Sequence, residues 1–331
     1  MYLRTHYLGI ELKNPLVPSA SPLSRSLDTA RQLEDAGASA IVMYSLFEEE
    51  LRRNGGPRYV DIGHTEARSY IPDYQQDQGE LEHHLEQLQR LKAALDIPVI
   101  ASLNGVSLDG WVENGKLLAE AGADALELNT YFIAADLQQS AAEVEQRYLS
   151  LLGELRRVVS LPITMKLSPY FSSLGHMVKA LEANGANGVA LFNRFYQPDI
   201  DIDSLQVAPR LQLSRPGDHL LAMRWIAILH GRTPLSLAAT GGVHSAEDAV
   251  KMVLAGADVV HLCSTLLQHG PRQLTHILEG MGRWLAESPY ESLDQCTGAM
   301  SQQQSRDPAA YERSNYVQLL GGYSVSKEEW R

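Results

Sequence analysis

The sequence predicts an α/β fold of the (β/α)8 barrel type, and three observations indicate it. A short sequence motif, in which the end of a helix is followed by Gly-Ala and an apolar run, occurs in four copies along the 331 residues. Four further apolar runs lie between the copies, and helical patterns separate most neighbouring runs. Apolar strands that alternate with helices are typical of a parallel sheet, and eight of them favour closure into a barrel. An open, doubly wound sheet is the alternative.

Each copy of this motif predicts the end of one helix and the beginning of a strand. Glycine at the C′ position of a helix, followed by a short turn, explains every copy. Each of the four other apolar runs begins at or beside a proline, which the first residue of a strand tolerates. The predicted strands lie near residues 16–21, 40–46, 98–103, 125–130, 162–168, 188–193, 235–240 and 259–264. The clearest predicted helices are 81–95, 108–121, 141–159 and 246–255.

Length and composition favour one globular domain. A barrel of this type takes about 250 residues, so the chain accommodates a single barrel over 1–331 with a C-terminal extension from 286 to 331. The net charge of −12 argues against nucleic acid and anionic membranes as partners. We see no signal-peptide core and no apolar run of membrane-spanning length. The two cysteines form neither a disulfide framework nor a CxxC motif. We therefore expect a cytoplasmic protein.

Two predicted connections are too long for ordinary turns. They cover residues 47–79 after strand 2 and 194–220 after strand 6. Loops longer than about 12–15 residues are usually lids, binding loops or disordered segments. Both leave the carboxyl ends of strands, which is the face where barrel active sites lie. The tail after Glu291 is expected to add helix and coil near 316–320 and 328–330.

The stretch from Leu235 to Pro271 predicts a phosphate-binding corner. Thr240-Gly241-Gly242 and Cys263-Ser264-Thr265 follow strands 7 and 8, where (β/α)8 barrels bind phosphate. Glycine lets the backbone approach an anion closely, and a helix N-terminus adds free N–H donors. The glycine turn is not a P-loop, because no Lys-Ser or Lys-Thr pair follows it. We expect a phosphorylated ligand here.

The strand ends, taken in order, carry a family pattern. The segments are Asn14-Pro-Leu-Val-Pro-Ser-Ala-Ser, Pro57-Arg-Tyr-Val-Asp, Glu127-Leu-Asn, Lys166-Leu-Ser-Pro-Tyr-Phe and the glycine stretch above. Together they resemble the dihydroorotate dehydrogenase family, chiefly its soluble class 1 branch, over about residues 8–285. The resemblance implies a barrel with non-covalent FMN, whose phosphate lies at the corner. It also implies hydride transfer from a CH–CH bond to flavin N5, a side-chain base for the other proton, and a homodimer.

On the cofactor side, the resemblance assigns residues one by one. Ala20 and Ser21 match the strand-1 end beside the isoalloxazine ring, and Asn129 matches an asparagine that bonds the flavin and substrate region. Lys166 matches the lysine near the flavin N1/O2 edge, where a cation stabilises the reduced ring. The other cofactor-binding candidates are Ser45, Ser102 and Asn104, with Gly241, Gly242, Cys263 and Ser264 at the phosphate.

On the substrate side, the sequence departs from the family pattern. Phe132 occupies the position of the base, which is Cys in class 1 and Ser in class 2, and phenylalanine accepts no proton. Ala134 stands where the family has a substrate-binding asparagine, and Tyr44 stands at a strand-2 lysine. After strand 6 only Asn193 remains of an asparagine pair. Each missing hydrogen-bond partner costs about 1–3 kcal/mol, so we expect an altered substrate.

Several side chains remain candidates for the chemistry. Tyr44 and Tyr131 are catalytic candidates beside Lys166, either as acid–base groups or as rings that fill space left by the family's Lys and Cys. The substrate-binding candidates are Asn129, Asn193 and Arg68. Arg68 and Arg194 could bind a carboxylate through a bidentate fork or be solvated loop residues. No carboxylate set completes a metal site at His83-His84.

Three functions follow, of which the first is preferred. It is an FMN-dependent oxidoreductase that acts on a CH–CH bond of a small molecule, as in pyrimidine biosynthesis. The second is a flavin-binding electron-transfer or accessory protein without that activity. The third is a sugar-phosphate barrel enzyme, an isomerase or aldolase, without flavin. Class 1 relatives pass electrons to fumarate or to a separate iron–sulfur flavin subunit, so an electron-transfer partner subunit is a further expectation.

Overall fold

Eight parallel strands form the barrel in the computed structural model, which describes residues 3–47, 79–105, 108–194, 197–208 and 211–312. The strands are β1 (Leu16–Pro18), β2 (Ile41–Val42), β3 (Val99–Asn104), β4 (Ala125–Asn129), β5 (Ile163–Leu167), β6 (Gly188–Leu191), β7 (Ser236–Thr240) and β8 (Val259–Leu262). From β2 to β8, each strand pairs with the next strand in the chain, and β8 pairs with β1. The circle closes where the Ser39 amide donates to the Leu16 carbonyl at 3.0 Å. The predicted barrel is confirmed.

Helices connect the strands on the outside. They are α1 (Leu27–Asp35), α2 (Glu80–Ala94), α3 (Leu108–Glu120), α4 (Ala141–Val158), α5 (Leu174–Ala183), α6 (His219–Leu229), α7 (Ala246–Ala255), α8 (Ser264–His269), α9 (Arg272–Glu287) and α10 (Leu293–Cys296). Capping boxes begin α4 at Ser140 and α7 at Ser245. The four helices predicted from the sequence agree with these bounds to within one residue.

The structure differs from the sequence prediction at the second strand and in the connection after β6. The predicted second strand divides into β2 and a separate short strand, Leu46–Phe47, which pairs with the end of β3. The long connection after β6 contains an antiparallel hairpin, Asp199–Asp201 with Gln206–Ala208, that we did not predict. Most of the first long connection, from 48 to 78, lies outside the described residues, as do the predicted tail segments at 316–320 and 328–330.

An N-terminal hairpin covers the amino-terminal end of the barrel. Its strands, Thr5–Tyr7 and Ile10–Leu12, pair antiparallel. The Tyr7 side chain is 1% exposed, and its hydroxyl donates to Oγ1 of Thr164 at 3.2 Å. Around it lie small and branched residues of the barrel interior, namely Val17, Val42, Ile100, Ala125, Ala190, Ala238 and Val259. The hairpin thus fills the lower barrel, and the remaining interior opens towards the carboxyl ends of the strands.

The described part of the C-terminal extension packs on the outer helices. The amides of Gly298 and Met300 donate to the carbonyls of Val253 and Leu254 at 3.0 and 2.8 Å, and Gln302 donates to Ala227 at 2.8 Å. These bonds attach the extension to α6 and α7. Within the described ranges, no helix has both the length and the apolar character needed to cross a bilayer.

Candidate functional site

A layer of mostly polar side chains lies inside the barrel above the apolar residues. Along a strand, alternate side chains face the same side, so residues two positions beyond the apolar interior ones also point inward. This polar layer consists of Ser19, Tyr44, Ser102, Glu127, Lys166, Phe192, Thr240 and His261, each at most 9% exposed. All but Ser102 and Glu127 line a cleft at the carboxyl ends of the strands. The layer is therefore the floor of that cleft.

The cleft opens to solvent at the carboxyl ends of the strands. It contains about 1220 Å³ of space between protein atoms, including its mouth to solvent. Of the predicted site residues, it is lined by Ala20, Ser21, Tyr44, Ser45, Asn129, Lys166, Asn193, Gly241, Gly242, Cys263 and Ser264. Its described lining holds three cationic side chains and no carboxylate. Such a surface attracts anionic ligands.

Lys166 is a buried cation held at the cleft floor by β5. Its Nζ lies 3.4 Å from Oε1 of Glu127 and donates to Oγ of Ser19 at 3.4 Å. Glu127 on β4 is fully buried, and a buried charge needs such a partner. An ammonium group has three N–H donors, so these two contacts leave one for a ligand in the cleft.

His261 on β8 approaches the same carboxylate from the other side. Its Nδ1 lies 3.7 Å from Oε2 of Glu127, and the ring makes an edge contact with Tyr7. Burial lowers the pKa of His261 to about 4, although the Glu127 charge opposes that shift. The ring is therefore neutral near pH 7, and its contact with Glu127 is not an ion pair there. Burial, with Glu127 second, raises the pKa of Tyr7.

Glu127 and His261 were not among the site residues predicted from the sequence. Both stand inside strands whose other residues are apolar, Ala125–Asn129 and Val259–Leu262. A charged or titratable residue inside a buried strand is the signal that could have identified them, because such groups are rarely buried without a partner.

The glycine turn after β7 forms one end of the cleft. Gly241 and Gly242 have φ of 93° and 74°, a region that favours glycine. A Cβ on Gly242 would lie 2.3 Å from the backbone nitrogen of His219, so close packing against α6 requires glycine there. A Cβ on Gly241 would meet no atom within 4 Å. This open position faces the cleft and leaves room for a ligand.

A segment of the connection after β6 lies beside this turn. The Ser214 amide donates to Oγ of Ser264 at 3.0 Å, and the Ser214 hydroxyl lies 3.3 Å from Nε2 of His244. Burial lowers the pKa of His244. Cys263 and Ser264, which the sequence predicts at a phosphate corner, line the cleft as well.

Two asparagines meet at the ends of β4 and β6. Nδ2 of Asn193 donates to Oδ1 of Asn129 at 2.7 Å. Within the described residues, Nδ2 of Asn129 and Oδ1 of Asn193 have no hydrogen bond, so both can serve a ligand. An amide donor beside an amide acceptor matches the N–H and C=O groups of a cyclic amide.

Two predicted cofactor residues lie behind the lining. The hydroxyl of Ser102 is 2.8 Å from that of Ser45, and only Ser45 faces the cleft. Asn104 is 3% exposed and also lies outside the lining. Ser102 therefore supports Ser45 rather than reaching the cleft itself.

The three catalytic candidates separate in the structure. Lys166 and Tyr44 line the cleft, whereas Tyr131 is half-buried after β4 and does not. The next residue, Phe132, has its ring 4.2 Å from the Arg147 guanidinium on α4. The chain after β4 therefore turns towards α4, and neither aromatic ring reaches the lining.

The predicted arginines have different positions. Arg194 lines the cleft, but its guanidinium is 2.6 Å from Oδ2 of Asp218. Arg68 lies outside the described residues. Arg25 lines the cleft from the turn after β1 and was not among the predicted site residues.

Comparison with known proteins identifies the family. The family model described as dihydroorotate dehydrogenase matches residues 2–285. The chain is 29% identical over 301 residues to a protein of Aeropyrum pernix, provisionally named dihydroorotate dehydrogenase A (fumarate), covering 88% of this chain and 94% of the relative. It is 26% identical over 303 residues to the catalytic subunit of dihydroorotate dehydrogenase B (NAD(+)) of Bacillus pumilus, covering 88% and 94%.

A third relative has a different printed activity. It is the NAD-dependent dihydropyrimidine dehydrogenase subunit PreA of Escherichia coli K12, 24% identical over 322 residues, with 88% of this chain and 75% of the relative covered. The family model covers most of the chain, and the relatives are named as dehydrogenases. The chain belongs to the dihydroorotate dehydrogenase family and is an oxidoreductase of the type that acts on CH–CH donors.

Proposed function

We propose that the protein uses FMN to oxidise or reduce a CH–CH bond in a small ring compound. One observation carries the proposal: Lys166 and the Gly241-Gly242 turn line the same cleft. A phosphate end and a buried cation in one cleft are what a flavin mononucleotide needs. Family membership supports the same chemistry. So do the names of two relatives, which are dehydrogenases of dihydroorotate and of dihydropyrimidine.

The residues present fit the cofactor. The open position at Gly241 would leave room for the phosphate group, and the Ser264 hydroxyl would help to hold it. The free donor of Lys166 suits an oxygen or nitrogen of the ring edge. FMN, when bound, supplies the acceptor for a hydride.

The chain's own residues then have distinct tasks. Lys166 stabilises negative charge that develops beside it, because a fixed cation in a buried site needs no solvent reorganisation. Glu127 holds that lysine in place at 3.4 Å. Asn129 and Asn193 orient the substrate ring through their free amide groups. Tyr44 is the phenol of the described lining, and a phenol is a group that can donate a proton to a carbanion-like centre.

The test begins with the purified protein. We expect it to carry FMN, identified in the supernatant after denaturation, or to take it up on reconstitution. Anaerobic mixing with dihydroorotate, and separately with dihydrouracil, is expected to bleach the visible flavin absorption with one of them. A colourless protein that takes up no FMN contradicts the proposal and favours the sugar-phosphate barrel enzyme.

A second candidate is a flavoprotein that transfers electrons without oxidising such substrates. The position of Phe132 favours it, because the family's base position packs against Arg147 rather than facing the cleft. The two candidates differ in one measurement. Bound flavin that dithionite reduces and that neither dihydropyrimidine bleaches supports this second function.

We further propose an electron-transfer partner subunit, a homodimer and a cytoplasmic location. Two of the relatives are named as subunits of larger enzymes, which supports the first. Cys263 and Cys296 form no disulfide, which agrees with a reducing compartment. Sedimentation of the purified protein tests the dimer, and co-purification from the source cell tests the partner.

A further inference from the structure

The charges of the polar layer balance one another near pH 7. Lys166 carries one positive charge and Glu127 one negative charge, and their side chains form an ion pair. His261 is neutral at that pH, because burial lowers its pKa to about 4. A buried charge is costly unless an opposite charge compensates it. The layer is therefore balanced only as long as no further charge is placed beside it.

The atoms between Glu127 and His261 are left without hydrogen bonds. Oε1 of Glu127 accepts from Lys166 at 3.4 Å, whereas Oε2 has no hydrogen-bond partner among the described residues. Nδ1 of His261 lies 3.7 Å from that Oε2, and neither ring nitrogen has a hydrogen-bond partner in the same residues. Buried polar atoms are normally paired, so an unpaired set requires an explanation. One added proton on His261 would convert this contact into a charge-assisted hydrogen bond.

The surroundings of His261 explain why that proton is absent. Burial lowers the pKa of the ring most, the Glu127 charge raises it, and the Lys166 charge lowers it. The other elements packed against the ring present uncharged side chains, namely Tyr7 of the N-terminal hairpin, Val17 of β1 and Thr240 of β7. Of the charges that act on this ring in the described structure, only that of Lys166 favours the neutral form.

We propose that His261 binds a proton when negative charge develops beside Lys166, and that the polar layer thereby keeps its charge balance. The inference rests on the proposed function and concerns how the chain responds when bound flavin is reduced. A negative charge on the cleft side of Lys166 offsets the field that favours the neutral ring. A protonated imidazole has two N–H donors, so Nδ1 can then donate to Oε2 of Glu127. His261 acts through Glu127 and Lys166 and is a positioning residue.

The electrons and protons of this step balance. Two electrons and one proton added to bound FMN leave one net negative charge on the ring system. One further proton, taken from solvent, goes to His261, while Glu127 and Lys166 keep their charges. The reductant supplies both electrons, and solvent supplies the proton that His261 binds.

NMR of the imidazole rings tests the proposal directly. The flavin-loaded protein, made with isotope-labelled histidine, is compared before and after anaerobic reduction by dithionite. At pH 7 we expect a neutral His261 ring in the oxidised protein and a protonated ring in the reduced protein. His261→Gln identifies the signals of this ring, and His261→Asn serves the same purpose if the first variant does not fold. The signals of His276, exposed on α9, should not change.

The pH dependence of the flavin potential gives a second measurement. Each proton bound together with two electrons changes the midpoint potential by about 30 mV per pH unit. Near pH 7 the wild type should therefore show a slope about 30 mV per pH unit steeper than that of His261→Gln. His276→Gln removes an exposed histidine and should keep the slope of the wild type.

Two further variants test the electrostatic cause without reduction of the flavin. Lys166→Met removes the charge that favours the neutral ring, so we expect the pKa of His261 to rise above its wild-type value. Glu127→Gln removes the charge that favours the proton, so His261 should stay neutral at pH 7 both before and after reduction. Lys116→Met removes an exposed charge on α3 and should leave the pKa of His261 unchanged.

The outcomes separate this inference from the proposed function. A wild type that binds FMN and whose His261 ring stays neutral on reduction overturns the inference alone. Equal potential slopes for the wild type and His261→Gln do the same, as does an unchanged pKa of His261 in Lys166→Met. A wild type that takes up no FMN refutes the proposed function, and the inference falls with it.

Discussion

The ammonium group of Lys166 and the carboxylate of Glu127 lie 3.4 Å apart inside the barrel, with side-chain exposures of 8% and 0%. Removing one charge of a buried pair leaves the other without compensation, at a cost of about 3–5 kcal/mol. We expect Glu127→Gln and Lys166→Met each to lower the free energy of unfolding by that order. The double variant should lose less unfolding free energy than the two single variants lose together, because neither charge is then buried without its partner.

Urea denaturation of the four proteins at equal flavin content measures this coupling. We expect an interaction free energy of about 1–3 kcal/mol between the two sites. Additive single effects would show that the two side chains do not depend on each other. Lys116→Met serves as a control, because its partner Glu120 is exposed and such surface pairs contribute about 0–1 kcal/mol.

The two glycines after β7 should respond differently to alanine. Gly242→Ala places a Cβ 2.3 Å from the His219 nitrogen, so we expect a loss of several kcal/mol or failure to fold. Gly241→Ala has open space and adds only the backbone strain of a positive φ, about 1 kcal/mol. Its methyl group occupies the proposed phosphate position, so this variant should fold and lose FMN affinity.

Circular dichroism melting and FMN titration together test the glycine prediction. The expected result is a stable Gly241→Ala protein with weak FMN binding. A Gly241→Ala protein that binds FMN like the wild type would place the phosphate elsewhere. Gly217→Ala is a matched control, since that glycine also has positive φ and open space but lies outside the cleft lining.

His261 should make stability depend on pH. Its pKa is about 4 in the folded protein and 6.5 in an ordinary environment. Below pH 6.5 the unfolded chain binds a proton that the folded chain refuses, so stability falls as the pH drops towards 4. Relative to His261→Gln, the wild type should lose up to about 3 kcal/mol over this window. An equal difference in unfolding free energy between the wild type and His261→Gln at pH 7 and at pH 4.5 would contradict the prediction.

Asp258 should show the opposite dependence. Burial raises its pKa from 3.8 to about 6, although the Leu237 amide donates to Oδ2 at 2.7 Å and opposes that shift. Between pH 6 and 4 the folded chain binds the proton more tightly, so the wild type gains stability as the pH falls. Asp258→Asn keeps an acceptor oxygen and loses the titration. The wild type should therefore gain about 1–3 kcal/mol over Asp258→Asn between pH 7 and pH 4.

Restoring the family's residue at position 132 should not restore its chemistry. The Phe132 ring lies 4.2 Å from Cζ of Arg147 and outside the cleft lining. We expect Phe132→Cys to leave any rate with dihydroorotate unchanged and to cost about 0.5–1 kcal/mol through the lost cation–π contact. Stopped-flow flavin reduction measures the rate, with Phe132→Leu as the control for the lost ring. A Phe132→Cys protein that gains a base-dependent rate would show that this segment reaches the substrate.

The barrel could be predicted from sequence because its signals are local. Gly-Ala turns and buried apolar runs specify each strand without reference to the others, and the bounds of α7 were predicted without error. The hairpin in the connection after β6 was missed because its sequence pattern is ambiguous. Asp199–Asp201 alternates polar and apolar residues but is exposed on both faces, so it resembles a polar loop.

The site was only partly predictable because its contacts join distant strands. Glu127 and His261 are 134 positions apart in sequence, and only barrel closure brings them together. Motif positions gave Lys166, Asn129 and the glycine turn, which end strands whose directions the fold determines. The motif also suggested Tyr131, which does not line the cleft. A motif does not specify which way the chain turns after its strand ends.

Tyr7 has a consequence for water in the barrel. Its ring fills the space beneath His261, so Lys166, which lines the cleft, meets solvent from the cleft side. A ring-sized ligand over the mouth would seal that route. Glu127, Lys166 and His261 would then interact through a medium of much lower dielectric constant, in which each charge acts more strongly on its neighbours. Ligand binding would thus be the step that excludes water from the polar layer.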